Sequence, residues 1–436
     1  QGDRAASVRA PRAALRNASR PRSQLLISLV PIAGMRGGCT RLGFVVHSGR
    51  ARALVGFAVF GAFWGTWGAS LPRVQVETGL SDAELGTALL WIGAGALLSI
   101  RWVGGLTDRA ERWVLPFSIA ALGLAAVVPV FTSSVVALSA ALLVLGVCSG
   151  AVDAAINSAA VRAESAGRRV VSLAHGLFSA AVVASSLAVA ALSHAGRGRA
   201  WSLVVAGAVL IAVAVVTTRL SLPPAVEREA ETGGRRATWS WPLLVLGSLA
   251  ALAYLVENAW QSWGAIQLHA TVGASLKVAA LAPAVFASAA ASGRLGGHHL
   301  ASVASPSALF GAAAAVAAAG SVLAALAHTT AWVLAGIAVA GLGTSVCAPI
   351  LIGLAGRARP DAQGAATGTV ITLAYLGFVF GPALIGLAAG ASTLPTALVG
   401  VAAVAGVLVV ASPLLNRLFR ARTTRWAPTR TGTESG

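Results

Sequence analysis

Charge is what this chain has least of. Only 11% of its 436 residues are Asp, Glu, Lys or Arg, and just 14 are acidic, against roughly a quarter charged in soluble domains. With 57% hydrophobic residues and a mean hydropathy of +0.80, there is too little polar material to cover a surface in water, so the bilayer is the expected solvent. Cysteine is scarce as well. Cys39, Cys148 and Cys347 have neither the density of a disulfide framework nor the spacing of metal ligands, so no metal is expected. No Gly-x-x-x-x-Gly-Lys-Ser/Thr run exists, which excludes an ATP-driven pump. The spans also lack a His-x-x-x-His-Glu motif or a nucleophile with its base, so an enzyme is not expected and neither is a cofactor.

What is present is a series of long apolar runs. They lie near 52–71, 85–105, 113–131, 135–158, 170–193, 200–221, 242–265, 275–295, 306–327, 331–355, 362–388 and 393–415, each of about the length that spans a bilayer. Pro72, a Ser81–Glu84 capping box, Pro306 and Pro360 punctuate their ends. The expected fold is an all-α integral membrane protein of twelve transmembrane helices.

The formal charge of +18 would suggest nucleic acid if the chain were soluble, so placement must decide. With both termini cytoplasmic, every Lys and Arg except Arg73, Arg197, Arg199 and Lys277 falls in inner tails, inner loops or inner helix ends, as the positive-inside rule requires. The surplus orients the chain in a cell's inner membrane. Basic patches interleaved with aromatic platforms are missing, so nucleic acid is not an expected partner.

The linker 223–240 is the one long charged interruption, and it divides the chain into a tail 1–50, a bundle 51–222, a second bundle 241–416 and a tail 417–436. Residues 1–50, rich in Arg and Ala and nearly free of acid, are expected to be disordered or to lie on anionic lipid. The bundles resemble each other: WGTWGA at 64–69 recurs as WQSWGA at 260–265. Parallel six-helix repeats are an architecture of secondary transporters, which bind solute near the midplane between the halves.

The inner loop expected after the second run, GGLTDRAER at 104–112, carries the clearest local signature. Through Gly104, Asp108, Arg109 and Arg112, and over nearly all of 51–416, the chain resembles the major facilitator superfamily. The second-half counterpart, SGRLGGHHL at 292–300, keeps Gly293 and Arg294 without the acid. The resemblance implies that Asp108 and Arg109 hold inner loops against helix ends and act in the conformational switch.

Twelve of the fourteen acids sit in tails, loops or helix ends, and Asp153 and Glu257 are the exceptions. A charge at the bilayer centre costs on the order of 3 kcal/mol on insertion scales, so such groups usually face a cavity or a partner. Asp153 and Asn157 share one helical face, with Gly146 and Gly150 continuing it. This acid and amide in the fourth run resemble the fucose-permease-like branch of the superfamily, which implies proton-coupled sugar recognition. The first run has no acid, unlike the fucose permeases, and Ser158 stands where Pro is common, both of which argue against fucose itself.

Glu257, Trp260, Gln261 and Gly264 share a face of the seventh run. Position 257 maps through the repeat onto Gly61, so this acid has no twin in the first half. Trp64 and Trp260 are expected to offer flat faces to a solute, and Trp67 and Trp263 to belong to the outer aromatic belt. His175, near the inner end of the fifth run, is a candidate proton relay. GFVFGPALIG at 377–386 reads as a flexible or kinked segment suited to rocking.

The expected function is alternating-access, proton-coupled symport of a small polar solute such as a sugar. The expected partners are that solute, protons and membrane lipids, around a monomer. Two alternatives stay open at this point: a proton-driven antiporter exporting drugs or metabolites, and a receptor or scaffold that no longer transports.

Overall fold

The computed structural model describes residues 39–165, 170–192, 199–220, 239–359 and 362–423; within these, the side chains of 39–49, 100–102, 104–105, 107–111, 165, 172, 199–200 and 418–423 lie outside the description. The tail before residue 39, nearly all of the expected linker and the last residues therefore fall outside it.

Helices follow one another throughout: α1 (Cys39–Thr78), α2 (Asp82–Val127), a 3-10 turn, α3 (Val135–Ser165), α4 (Val171–Leu192) and α5 (Arg199–Thr218). After the linker come α6 (Trp241–Ile266) with a π turn (Gln267–Thr271), the single turn α7 (Leu276–Ala279), α8 (Ala282–Leu300), α9 (Pro306–Leu326), α10 (Thr330–Ala358), α11 (Gln363–Ala391) and α12 (Leu394–Thr423). No strand occurs among the described residues. Eleven helical stretches there are long and apolar enough to cross a membrane. The remaining expected run, 85–105, lies in the first half of α2, part of which is outside the side-chain description.

One local expectation is corrected. Residues 104–112, read as a loop between two spans, are helical, so the second and third runs share the 46 residues of α2. Between Pro72 and Pro116 no proline interrupts the chain, and Leu, Ala, Glu and Arg around Gly104 are good helix formers. The side chains of Gly104, Asp108 and Arg109 are outside the described residues. Arg112 is exposed, with its guanidinium 5.4 Å from the centre of the Trp113 ring.

The turn from α1 to α2 is built by two local devices. Gly79 takes φ +67°, a left-handed conformation that suits glycine. The Ser81 hydroxyl then accepts from Glu84 N, while the Glu84 carboxylate accepts from Ser81 N at 2.9 Å and from Ser81 Oγ at 2.8 Å. Those bonds, the backbone one first, hold the exposed Glu84 carboxyl below its usual range.

Lipid offers little hydrophobic drive for helix association, so small residues and close backbones do the packing. A Cβ on Gly146 would overlap the carbonyl of Ile92, and one on Gly150 would crowd Ala96 and Ser99, seating α3 against α2. The helices before residue 239 meet those after it through α2 with α11, α4 with α8, and α1 with α6 and α8. This seam gathers at the end of the bundle that carries the Gly79 turn. There Gly86 faces Gly386, Gly93 faces Val379, and Ala69, Val189, Ala190 and Ala280 form a small cluster. Toward the other end, Arg52 is fully buried and donates to the carbonyls of Leu220 and Arg112, tying α1 to the end of α5 and to α2.

Candidate functional site

Between the two sets of helices lies a cavity of about 300 Å³ walled by α1, α2, α3, α4, α6, α8 and α11. Both membrane-embedded acids open onto it, Asp153 from α3 and Glu257 from α6.

Asp153 has a partner on each oxygen. Tyr375 of α11 donates its hydroxyl to Oδ2 at 3.0 Å, and Asn157 donates Nδ2 to Oδ1 at 3.0 Å and to the Asp153 carbonyl at 2.9 Å. Asn157 is itself absent from the wall. Glu257 is 8% exposed, and its Oε1 accepts from Arg294 Nη2 of α8 and from Gln261 Nε2, both at 3.2 Å. The two acids are thus served by different helices, one through a hydroxyl and one through a full charge.

Pro382 shapes the far wall. Lacking an N–H, it leaves the carbonyl of Phe378 without its helical donor, and Asn258 Nδ2 of α6 supplies one at 2.7 Å. The Pro382 carbonyl accepts from Trp263 Nε1 at 3.2 Å. The proline in the GFVFGPALIG segment is therefore pinned to α6 by two side chains.

Asp153, Glu257, Gln261 and Trp64 share the cavity wall, with the Trp64 ring set edge-on to Phe378 at 6.5 Å. Trp260 does not: it is 0% exposed and donates Nε1 to Ser321 Oγ of α9 at 2.8 Å, locking two helices together. His175 is also outside the wall and stands edge-on to Phe57 at 4.9 Å.

Trp67 and Trp263 are corrected from belt residues to buried ones, at 3% and 0% exposed. The cause is helix length, because α1 runs on to Thr78 and α6 continues through its π turn to Thr271, which sets both rings deeper than the apolar runs implied. Arg294 is corrected too. Read as a remnant of an inner-loop motif, it lies well inside α8, since that helix continues to Leu300, and it faces the cavity.

Sequence reasoning missed Tyr254, Tyr375 and Asn258 in the wall. The signal was scarcity: the chain has only two tyrosines, and both border this cavity.

Residues 53–382 match the family model of the Major Facilitator Superfamily. This chain belongs to that superfamily. An uncharacterised MFS-type transporter of Yersinia pestis is 29% identical over 343 residues, covering 78% of this chain and 89% of its own length. An uncharacterised transporter of Sinorhizobium fredii is 30% identical over 379 residues, covering 83% and 97%. The membrane protein MosC of Rhizobium meliloti is 26% identical over 367 residues, covering 83% and 88%. Among solved structures, a mutant of the nucleoside transporter NupG superposes with a TM-score of 0.71 at 14% identity, covering 84% of this chain and 99% of its own. A bacterial homologue of the lysosomal transporter Spinster gives 0.71 at 16%, covering 90% and 100%. At such identities these two share the fold. The protein is a multi-pass membrane transporter of the Major Facilitator Superfamily that moves a small-molecule solute.

Proposed function

We propose that this transporter is a proton-coupled symporter of a small polar solute with a sugar-like body, working by alternating access with both termini cytoplasmic. The observation that carries this is the placement of two carboxylates, from different halves of the chain, on one cavity of about 300 Å³. That volume is at the lower end of small-molecule sites, so it suits a single-ring metabolite better than a bulky drug.

Asp153 is the proposed proton carrier. Its hydrogen bond to Tyr375 crosses from the first half to the second, so loading or unloading its proton acts on a bond that rocking of the halves must make and break. Glu257 is the proposed solute-side acid, and Gln261, Asn258 and Trp64 provide polar and flat surfaces around it. The likeness of Asp153 and Asn157 to the fucose-permease-like branch supports the same reading.

The test is uptake in liposomes with an imposed proton gradient. A panel of monosaccharides and their derivatives should include one whose accumulation collapses when the gradient is dissipated, with protons entering alongside it. Solute movement that carries no protons would end the coupling claim.

A further inference from the structure

Arg294 is the one basic residue in the cavity wall among the described residues. Its side chain is 46% exposed while that of Glu257 is 11% exposed. Its hydrogen-bonded partner is a single oxygen, Glu257 Oε1. A guanidinium carries five N–H donors in a planar fork suited to a carboxylate, so one bond to Glu257 leaves donors for a solute. The acids stand differently: Asp153 has both oxygens engaged by Tyr375 and Asn157, and Glu257 is nearly buried. The group left to meet a solute charge is the cation.

The charge balance adds a constraint. With both acids ionised, two negative charges face one positive one, and the cavity repels an anion. Protonating one acid makes it neutral, and protonating both makes it positive. An anionic solute is therefore admitted with protons, whereas a cationic solute would enter an unprotonated cavity and need none. Among the described residues, His175 of α4, Cys347 of α10 and the two tyrosines also lie within electrostatic reach of Arg294, Glu257 or Asp153.

We infer that the solute carries one carboxylate on its sugar-like body and that Arg294 recognises it. This rests on the transport reading and narrows it to monoanionic sugar acids. A phosphate dianion would call for a second cation, and the wall offers none among the described residues.

Equilibrium dialysis of the purified full chain against labelled glucuronate, glucose, glucosamine and glucose 6-phosphate tests it. These keep one body and change its charge. At acidic pH, where the two acids are loaded with protons, glucuronate should bind at least about tenfold more tightly than glucose, as expected for hydrogen bonds to a charged group, with glucosamine and the phosphate weaker than glucuronate. Arg294→Gln should erase the preference, bringing glucuronate down to the affinity of glucose, and Arg294→Lys should retain part of it. The double variant Glu257→Gln/Arg294→Gln, which leaves no unpaired charge, should show the same lost preference and guards against misfolding of the single variant. Equal binding of glucuronate and glucose, tighter glucosamine, or binding of none of the four overturns the inference. Selective glucuronate binding without uptake in liposomes would overturn the transport reading and leave the recognition standing. Uptake of a neutral sugar that is unchanged in Arg294→Gln would do the reverse.

Discussion

The Tyr375 hydroxyl donates to Asp153 Oδ2 at 3.0 Å across 222 residues of chain, joining α11 to α3 through the acid that α3 carries inside the membrane. Asp153→Asn should abolish gradient-driven accumulation and spare exchange of solute across the membrane. Tyr375→Phe keeps the acid and removes one bond to it, so accumulation should slow roughly tenfold without disappearing. Uptake and counterflow assays on the same liposomes separate the two, and unchanged accumulation in Asp153→Asn would remove it from the mechanism.

The Glu257–Arg294 pair should contribute to stability in a way that only a pair can. Glu257→Gln leaves the guanidinium without its carboxylate and should lower stability by on the order of 2 kcal/mol, less than for a fully buried pair because Arg294 is partly exposed. Adding Arg294→Gln should restore part of that. Thermal melts of the three purified variants check it, and a double variant no more stable than Glu257→Gln would deny the coupling.

At the seam between α2 and α11, a Cβ on Gly86 would stand 2.7 Å from Gly386 Cα. Gly86→Val should yield folded protein whose uptake falls at least about tenfold, because the halves cannot close at that end. Gly400, around which a Cβ meets nothing within 4 Å, supplies the control: Gly400→Val should transport normally. Size-exclusion profiles beside the uptake rates distinguish a blocked transporter from a misfolded one.

Ser81→Ala should remove the cap of α2, at about 1 kcal/mol. The Glu84 carboxyl is held below its reference value of 4.5, so its share of the cap is present above that pH and is lost as pH falls through the lower, folded value. The stability gap between parent and Ser81→Ala should therefore be widest near neutrality and narrow as the pH falls below 4.5. Melting curves over pH 3–7 would show it, and a gap that widens on acidification would contradict it.

The helices were legible because apolar runs of bilayer length leave few alternatives, and Asp153 with Asn157, like Glu257 with Gln261, was legible because a spacing of four fixes a shared face. What was not legible depended on where helices end and how they rotate. An apolar run stops at its last apolar residue, whereas α8 continues past Arg294 to Leu300 and α6 past Trp263 into a π turn. The apolar runs alone therefore put Arg294 at an inner helix end, as the counterpart of an inner-loop motif, and Trp263 in the outer belt. Trp260 sits on the same side of its helix as Glu257 by spacing, yet its larger ring reaches sideways to Ser321 of α9, a distinction that no single helix reveals. Asn258 became meaningful only beside the carbonyl that Pro382 leaves open.

The repeat that relates the halves places Gly61 opposite Glu257, and a Cβ at Gly61 would already overlap the backbone of Phe178. No acid can arise there without rebuilding α1 against α4. The pocket is consequently lopsided in a pseudosymmetric scaffold, with its Glu–Arg pair confined to one side, and a guest should lie in it one way round rather than in the two orientations that matching halves would offer. The direction in which a solute lies across the cavity would follow from a glycine outside its wall.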